Sequence, residues 1–562
     1  MAKSQPVHEV VALLSRVLET RGAKVGFAVA LSSVPALAAF LWRKGRKPRA
    51  EFLQRQAPLR RRVRVAILGG GVGGCVLSQW LRELFGTDVD ITLICDGPIG
   101  GRCQLVEIDG QQYEAGAAII SELNEHFINE MRKHALEETF IKGLTFIPFG
   151  IFNGKSFEIR SPDPASMLIP QLADFLTDLR VLFRFGFLIL RRLTGIARPN
   201  DFKGLYALQR KGVTFSSPMD LLNALGSTYP ELLLKSAETW LVREKLVSAA
   251  AVNELATPGM RSNYGGQGCR DLHAFVGLVS IAGGLASRCF KVAKGNVQVP
   301  QKCVERAAAT VLQGTATSVR KLGDKGYEVS YSTATGEAMK RLSEAGEASL
   351  ESCNGGRGRG ASSSPGATLE SDVVVVAHPL ERSEVRLEAV QHAPLQTLGK
   401  FRRCVAHFVK GSLRHEYFGG RPPLELMATA QSGAPFYSIG LQFPVTIRTK
   451  AEARGIVESA LRGEPQVFKV FASRVLSTSE LEEIFCPADA QLQFKVVDWY
   501  GYPEYQVPQQ LQPFVLDSGL FYINAVEQAA SAMEMSLISA RNVANLVVEW
   551  VDAKRGSEAD GF

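Results

Sequence analysis

The feature that most constrains this chain is a run of glycines placed where an apolar strand gives way to a helix. Val63–Leu68 (VRVAIL) is followed at once by Gly69-Gly70-Gly71-Val72-Gly73-Gly74. Five of the six leading residues suit a buried parallel strand. Gly69 permits the tight turn, Gly71 lets the backbone approach a pyrophosphate, and Gly74 lets the helix pack close to the strand, with Gly73 completing the cluster. The N-terminus of that helix offers unpaired N–H groups and a positive dipole end. Leu77–Phe85 reads as the helix, and Val89–Ile94 as a second strand ending at Cys95-Asp96. An acidic side chain about 20 positions past the glycines suits a ribose, so Asp96 is the candidate for it.

A second cluster follows: Gly100-Gly101-Arg102, then Tyr113-Glu114-Ala115-Gly116. Such a turn soon after the second strand is typical of flavin-dependent oxidases, and the planar donor fork of Arg102 suits a pyrophosphate. The two clusters together predict FAD rather than NAD. Far along the chain, Leu520–Ser536 runs from strand into a second helix N-terminus suited to the flavin end of the cofactor, with Asn524 and Glu527 beside it. The expected cofactor-binding set is Gly69, Gly71, Gly73, Gly74, Asp96, Gly100, Gly101, Arg102, Glu114, Gly116, Asn524 and Glu527. No metal pattern and no disulfide framework emerges from the nine scattered cysteines.

Charge is divided unevenly. Residues 1–64 hold 14 Lys and Arg against Glu9, Glu19 and Glu51, a net +11, so the remaining chain of this +8 protein is at −3. That balance, and the lack of any motif for it, argue against a nucleic-acid surface on the folded body. Val25–Trp42 is an 18-residue uncharged run, at the short limit for crossing a bilayer, followed by Arg43-Lys44-Gly45-Arg46-Lys47. A retained N-terminal membrane anchor is expected, with a cleaved leader as the alternative. The heavier charge on its C-terminal side would face the body to the cytosol.

Leu168–Arg192 combines a broad apolar face with Arg180, Arg184, Arg191 and Arg192. It reads either as a core helix of a substrate domain or as an interfacial helix that admits a lipid-like substrate. Glu337–Glu370, rich in Gly, Ser and Arg, is expected to be a disordered insert. Asp372–Ala377 is an apolar strand returning to the first sheet, which makes His378 a strand-end residue rather than a base. The fold class is α/β, a Rossmann-type FAD-binding domain of the glutathione-reductase and amine-oxidase kind with an inserted α+β substrate domain. The expected parts are an arm over 1–62; FAD-binding segments at 63–160, 265–336, 371–400 and 496–552; substrate segments at 161–264 and 401–495; and the insert at 337–370.

Six blocks resemble the prenylcysteine oxidase family, known in plants as farnesylcysteine lyase. They are Gly69–Gly74, Val89–Asn124, Tyr264–Gly283, Phe436–Gly440, Trp499–Tyr505 and Asn524–Asn542, of which Ala529–Ser536 (AASAMEMS) is the most distinctive. Coverage is about residues 63–552 apart from the insert. The resemblance implies oxidation of S-prenyl-L-cysteine with O2 and water to a prenyl aldehyde, cysteine and H2O2, in breakdown of prenylated proteins. It implies no particular catalytic acid or base, although His273 and Glu527 fall near the flavin end. It also implies an endomembrane or lysosome-like compartment, against the cytosolic facing read from charge. Counted back from Gly100, the family's acidic ribose position falls on Cys95, with Asp96 displaced by one. Two other readings stand beside it: a flavin amine oxidase, and a non-enzymatic prenyl-binding escort resembling GDP-dissociation inhibitors, which intact glycines and Arg102 disfavour.

Overall fold

The computed structural model describes residues 61–140, 147–162, 173–196, 200–284, 289–333, 366–390 and 399–559. Val63–Leu68 (β1) is the centre of its larger sheet, because side chains apolar on both faces must be covered on both faces. Val65, Ala66, Ile67 and Leu68 are accordingly almost fully buried. The helix Val72–Phe85 (α1) follows, then Val89–Cys95 (β2), in register Val63↔Val89 through Leu68↔Ile94. Thr310–Lys321 (β3) lies parallel to β2, Val373–Val376 (β4) parallel to β1 on its other side, and Leu520–Tyr522 (β5) parallel to β4. The order β3-β2-β1-β4-β5 is the doubly wound arrangement expected, and its ligand position is the crevice beyond the strand carboxyl ends.

The insert expected over 337–370 ends earlier than the composition suggests. Ala367–Ser371 is a strand, antiparallel to Tyr327–Thr333 with Val329 opposite Leu369. Backbone pairing to an already formed hairpin orders a stretch with little apolar content of its own; 337–365 lie outside the described residues.

A second sheet contains Phe401–Leu413, Gln466–Ala472, Ser438–Leu441, Glu425–Ala428 and Gln493–Pro503. It also takes in Phe149–Phe152 and Phe157–Arg160, residues that sequence order groups with the first FAD-binding segment. Likewise Trp499 to Pro503, placed by sequence order in the C-terminal FAD segment, pair here with Phe401–Cys404. The hairpin Leu105–Ile108 and Gln111–Glu114 packs on the second sheet: Val106, Ile108 and Tyr113 lie against Phe408, Val467 and Val497.

Of the stretch expected over Leu168–Arg192, residues 168–172 lie outside the described residues and the rest belongs to two helices, Ala173–Phe185 (α2) and Phe187–Ile196 (α3), interrupted at Gly186. Ala274–Gly284 (α4) packs against α3. After β5 the chain turns through Ile523–Gln528 into the helix Met533–Ala559 (α5), which packs along α1 and runs past the expected end near Trp550. Among the described residues no helix is long and apolar enough to cross a membrane. The expected anchor at 25–42 lies outside the described residues.

Candidate active site

Three stretches of chain converge at the carboxyl ends of β1, β2 and β5. Gly69 has φ +123°, and a Cβ there would sit 2.5 Å from the Ala377 carbonyl oxygen. Its N–H donates to the Ile94 carbonyl at 2.8 Å, tying the turn to β2. A Cβ on Gly74 would lie 2.3 Å from the Gly69 carbonyl oxygen, so the helix can pack this closely only without one. Gly71 is different: a Cβ built on it meets no atom within 4 Å. The second cluster closes on the first, since the Gly100 N–H donates to the Gly70 carbonyl at 2.8 Å and a Cβ on Gly101 would be 3.0 Å from Gly71 Cα. Gly73 backs onto the third stretch, 3.2 Å from Ile523 by the same measure.

Asp96 follows the last residue of β2 and is exposed, whereas Cys95 is buried, with Sγ 3.7 Å from Gln313 Nε2. The displaced acid, not the cysteine, therefore faces solvent at the strand end. Arg102 donates through Nη1 to the Gly501 carbonyl at 2.6 Å and through Nη2 to Glu527. The arginine side chain stays 34% exposed while that of Glu527 is 2% exposed, so the pair is buried from the glutamate side. Asn524 Nδ2 also donates to Glu527, at 3.1 Å. Glu114 takes the Asn296 N–H at 2.7 Å, and Lys469 donates to its main-chain carbonyl at 2.8 Å. Burial raises the Glu114 carboxyl to about 7 and lowers Lys469 and Lys291 to about 8.

These residues fit FAD. The space over Gly71 is open, and of six buried side-chain polar atoms without a hydrogen-bond partner among the described residues three are acceptors on this set: Glu114 Oε2, Asn524 Oδ1 and Glu527 Oε2. Buried acceptors normally find donors. All three belong to residues singled out from sequence.

Side chains without an assigned role in the sequence also gather here. The Trp499 ring lies against Gly116, where a Cβ would be 2.4 Å from Cζ2. Tyr264 meets Tyr502 and Tyr505 edge-on, with centroids 5.2 and 5.7 Å apart. Tyr505 braces the C-terminal turn: its hydroxyl donates to the Glu527 carbonyl at 3.2 Å and accepts the Ser531 N–H at 2.9 Å. The Tyr505 main-chain N–H donates to Gln267 Oε1 at 2.9 Å. The signal for them is Tyr264 at the head of a glycine-rich block and the aromatic block Trp499–Tyr505, whose roles depend on contacts no local spacing encodes. His273 Nε2 lies 3.2 Å from the Gln528 carbonyl. His378 is bonded at 2.8 Å to the Leu68 carbonyl and at 2.9 Å to Ser383, so both its ring nitrogens serve the strand end.

Burial holds His273 and His407 down to about 4 and His126 to about 3. A depressed folded value means their stabilising contribution is present above the ordinary 6.5 and lost as pH falls toward 4. Glu114 and Glu534 are raised by burial to about 7, so their contribution is full below the ordinary 4.5 and lost as pH rises through 7. In the window between those ordinary values the carboxyls offset part of the loss from the histidines. Below it the histidines act unopposed. Urea unfolding is therefore expected to show a gentle loss of stability from pH 6.5 to about 4.5 and a steep one near pH 4; stability rising into that range would contradict the neutral buried histidines.

The parallel sheet, glycine turn and C-terminal return define the fold of the flavin amine oxidases. The chain is similar to cyclohexylamine oxidase from Brevibacterium oxydans, with TM-score 0.52, 15% identity, and coverage of 87% of this chain and 100% of that one. It is likewise similar to a redesigned putrescine oxidase, with TM-score 0.52, 13% identity, and coverage of 87% and 99%. The chain belongs to the prenylcysteine lyase family, whose model matches residues 171–560. Among curated relatives, prenylcysteine oxidase 1 of Homo sapiens is 27% identical over 494 residues, covering 86% of this chain and 88% of that protein. Prenylcysteine oxidase 1-like of Homo sapiens is 26% identical over 501 residues, covering 86% and 90%.

Proposed function

We propose that this chain is an FAD-dependent thioether oxidase that cleaves S-prenyl-L-cysteine, farnesyl or geranylgeranyl. The observation that carries the reading is the open cradle over Gly71, closed by the Gly100-Gly101-Arg102 turn, in a member of the prenylcysteine lyase family. Relatives named prenylcysteine oxidase support the substrate class.

Bound FAD supplies the hydride acceptor for the prenyl carbon attached to sulfur, and O2 takes the electrons on as H2O2. On the substrate, a sulfur lone pair and the neighbouring double bond stabilise the cation left behind; water adds, and the hemithioacetal collapses to cysteine and a prenyl aldehyde. The protein's part is position and electrostatics. Gly69, Gly73 and Gly74 shape the turn, Gly100 and Gly101 let the second turn close on the first, and Gly71 leaves room for pyrophosphate. Arg102 brings positive charge, Asp96 serves the ribose, and Glu114, Gly116, Asn524 and Glu527 line the rest. His273, held neutral by burial, has the Gln528 carbonyl as its partner and is given no proton-transfer role.

Because the allylic double bond stabilises the cation, farnesylcysteine and geranylgeranylcysteine are expected to be turned over, and saturated S-alkyl cysteines of equal length are not. Affinity should follow chain length at about 0.8 kcal/mol per buried CH2. Peroxide release is the readout, and equal rates on saturated and allylic thioethers would contradict the mechanism.

Residues 25–42 are proposed to hold the protein in an endomembrane, on the strength of their apolar length and flanking charge. Carbonate extraction is expected to leave full-length protein in the pellet. Release into the supernatant would remove the anchor from the account, and protease protection would decide between the cytosolic and lumenal faces.

A further inference from the structure

α2 and α3 meet at Gly186, whose φ of +81° breaks one helix into two. Around the break Phe183, Phe187 and Leu188 are 79%, 69% and 55% exposed. Leu246, also exposed, is drawn alongside by the hydrogen bond from Arg192 Nη1 to its carbonyl. Single exposed apolar side chains are ordinary, but several large ones gathered at one joint mark a surface that meets something apolar. The opposite side of the pair is properly buried, through Ala173, Phe185 and Leu193, so these are well-packed helices with an additional apolar face.

The charge around the joint says what the apolar face meets. From Leu179 to Ile196 the chain carries Arg180, Arg184, Arg191 and Arg192 and no acidic residue. Arg184 is committed to Glu158 and Glu254, which fasten α2 to the body. Arg180, Arg191 and Arg192 form no ion pair among the described residues. Exposed aromatic and leucine side chains on helices that also carry arginines are the composition that binds in the plane of an anionic bilayer, apolar groups among the headgroups and cations on the lipid phosphates. At 13 and 10 residues, α2 and α3 are too short to span one.

We propose that the joint between α2 and α3 docks on the surface of an anionic lipid bilayer, separately from any hold exerted by residues 25–42. The inner side of α3 packs on α4, which begins just after His273, the residue bonded to the C-terminal turn of the candidate site. The docking face is therefore connected to the site through one helix. A substrate whose prenyl tail resides in the bilayer would be collected at this face. That use rests on the function proposed above; the docking itself does not.

The test places one added tryptophan in the full-length, flavin-loaded protein, either as Phe187→Trp or, away from the joint, as Val475→Trp, since Val475 is also exposed. Each is mixed with vesicles of brominated phosphatidylcholine containing phosphatidylserine, and the emission of the parent protein is subtracted. The expected result is loss of most of the emission added at 187 and little of that added at 475. Arg191→Gln with Arg192→Gln should shift the loss at 187 to higher vesicle concentration, as should added salt. Equal quenching at the two positions would overturn the proposal, because it would mean attachment without this face. Absence of quenching at 187, with a mass rising to that of a dimer, would also overturn it and give the face to a second copy. Since no substrate is present, either failure leaves the assigned reaction untouched.

Discussion

Gly71→Val is expected to yield a folded, colourless protein, while Gly74→Val is expected not to fold properly. The two positions are three residues apart in one glycine cluster, yet their surroundings are opposite. At Gly71 the backbone is in the extended region, φ −73°, and a Cβ meets nothing, so the added side chain costs the apoprotein within about 1 kcal/mol. That open space is where the pyrophosphate belongs, and filling it should lower FAD affinity by about two orders of magnitude or more, about 3 kcal/mol. At Gly74 the Cβ would be driven to 2.3 Å from a main-chain oxygen, and main chain cannot step aside as a flexible side chain can. Overpacking of this kind costs about 3 kcal/mol or more. Flavin absorbance per protein and a thermal melt separate the two effects. A yellow Gly71→Val protein would show that the cradle is not the pyrophosphate site. By the same absorbance, Asp96→Ala should weaken retention more than Cys95→Ala, since Cys95 is turned into the sheet; equal retention would remove Asp96 from the ribose site.

Arg102→Ala should be the most damaging change among the charged residues. It strips Glu527, whose side chain is 2% exposed, of its only cationic partner among the described residues, and it also frees the Gly501 carbonyl. Breaking one side of a buried pair costs about 3–5 kcal/mol, mostly the penalty of the charge left behind. The double change Arg102→Ala with Glu527→Gln should therefore be more stable than Arg102→Ala alone, while still failing to keep flavin. Arg102→Lys should fall between, because one ammonium cannot replace a fork that reaches two acceptors. Denaturant unfolding of the three variants checks the order. A double variant no more stable than the single one would mean that the glutamate charge is not what the arginine compensates.

The two predictions differ in how much of their basis can be read from sequence. β1, its turn, α1 and β2 are legible because an all-apolar strand, glycines at fixed offsets and a following helix are contiguous, and each obeys a local rule. β4 is legible for the same reason, as four consecutive valines buried on both faces. The strand Ala367–Ser371 is not, since it is five residues long with only Ala367 and Leu369 apolar, and only the prior hairpin gives it a partner. Phe149–Phe152 joins the second sheet beside Glu425–Ala428, a pairing across 276 positions that no periodicity announces. The same limit governs the site. Glycines and Arg102 stand out by motif, but that Arg102 meets Glu527, 425 residues on, and that Trp499 covers Gly116, are products of the tertiary fold. Glu114 shows the limit most plainly: its sequence context suggests cofactor contact, while its neighbours come from two distant segments, Lys291 with the Asn296 N–H from one and Lys469 from the other.

Thioether oxidation at the site above Gly71 is tested most directly by product balance. The purified, FAD-loaded protein is given farnesylcysteine in air, and peroxide, free cysteine and farnesal are measured together. The expected result is equal amounts of all three, with benzylamine and putrescine inert because no positive charge on the substrate is required. Turnover of either amine at a rate matching or exceeding farnesylcysteine, or peroxide without released cysteine, would contradict it.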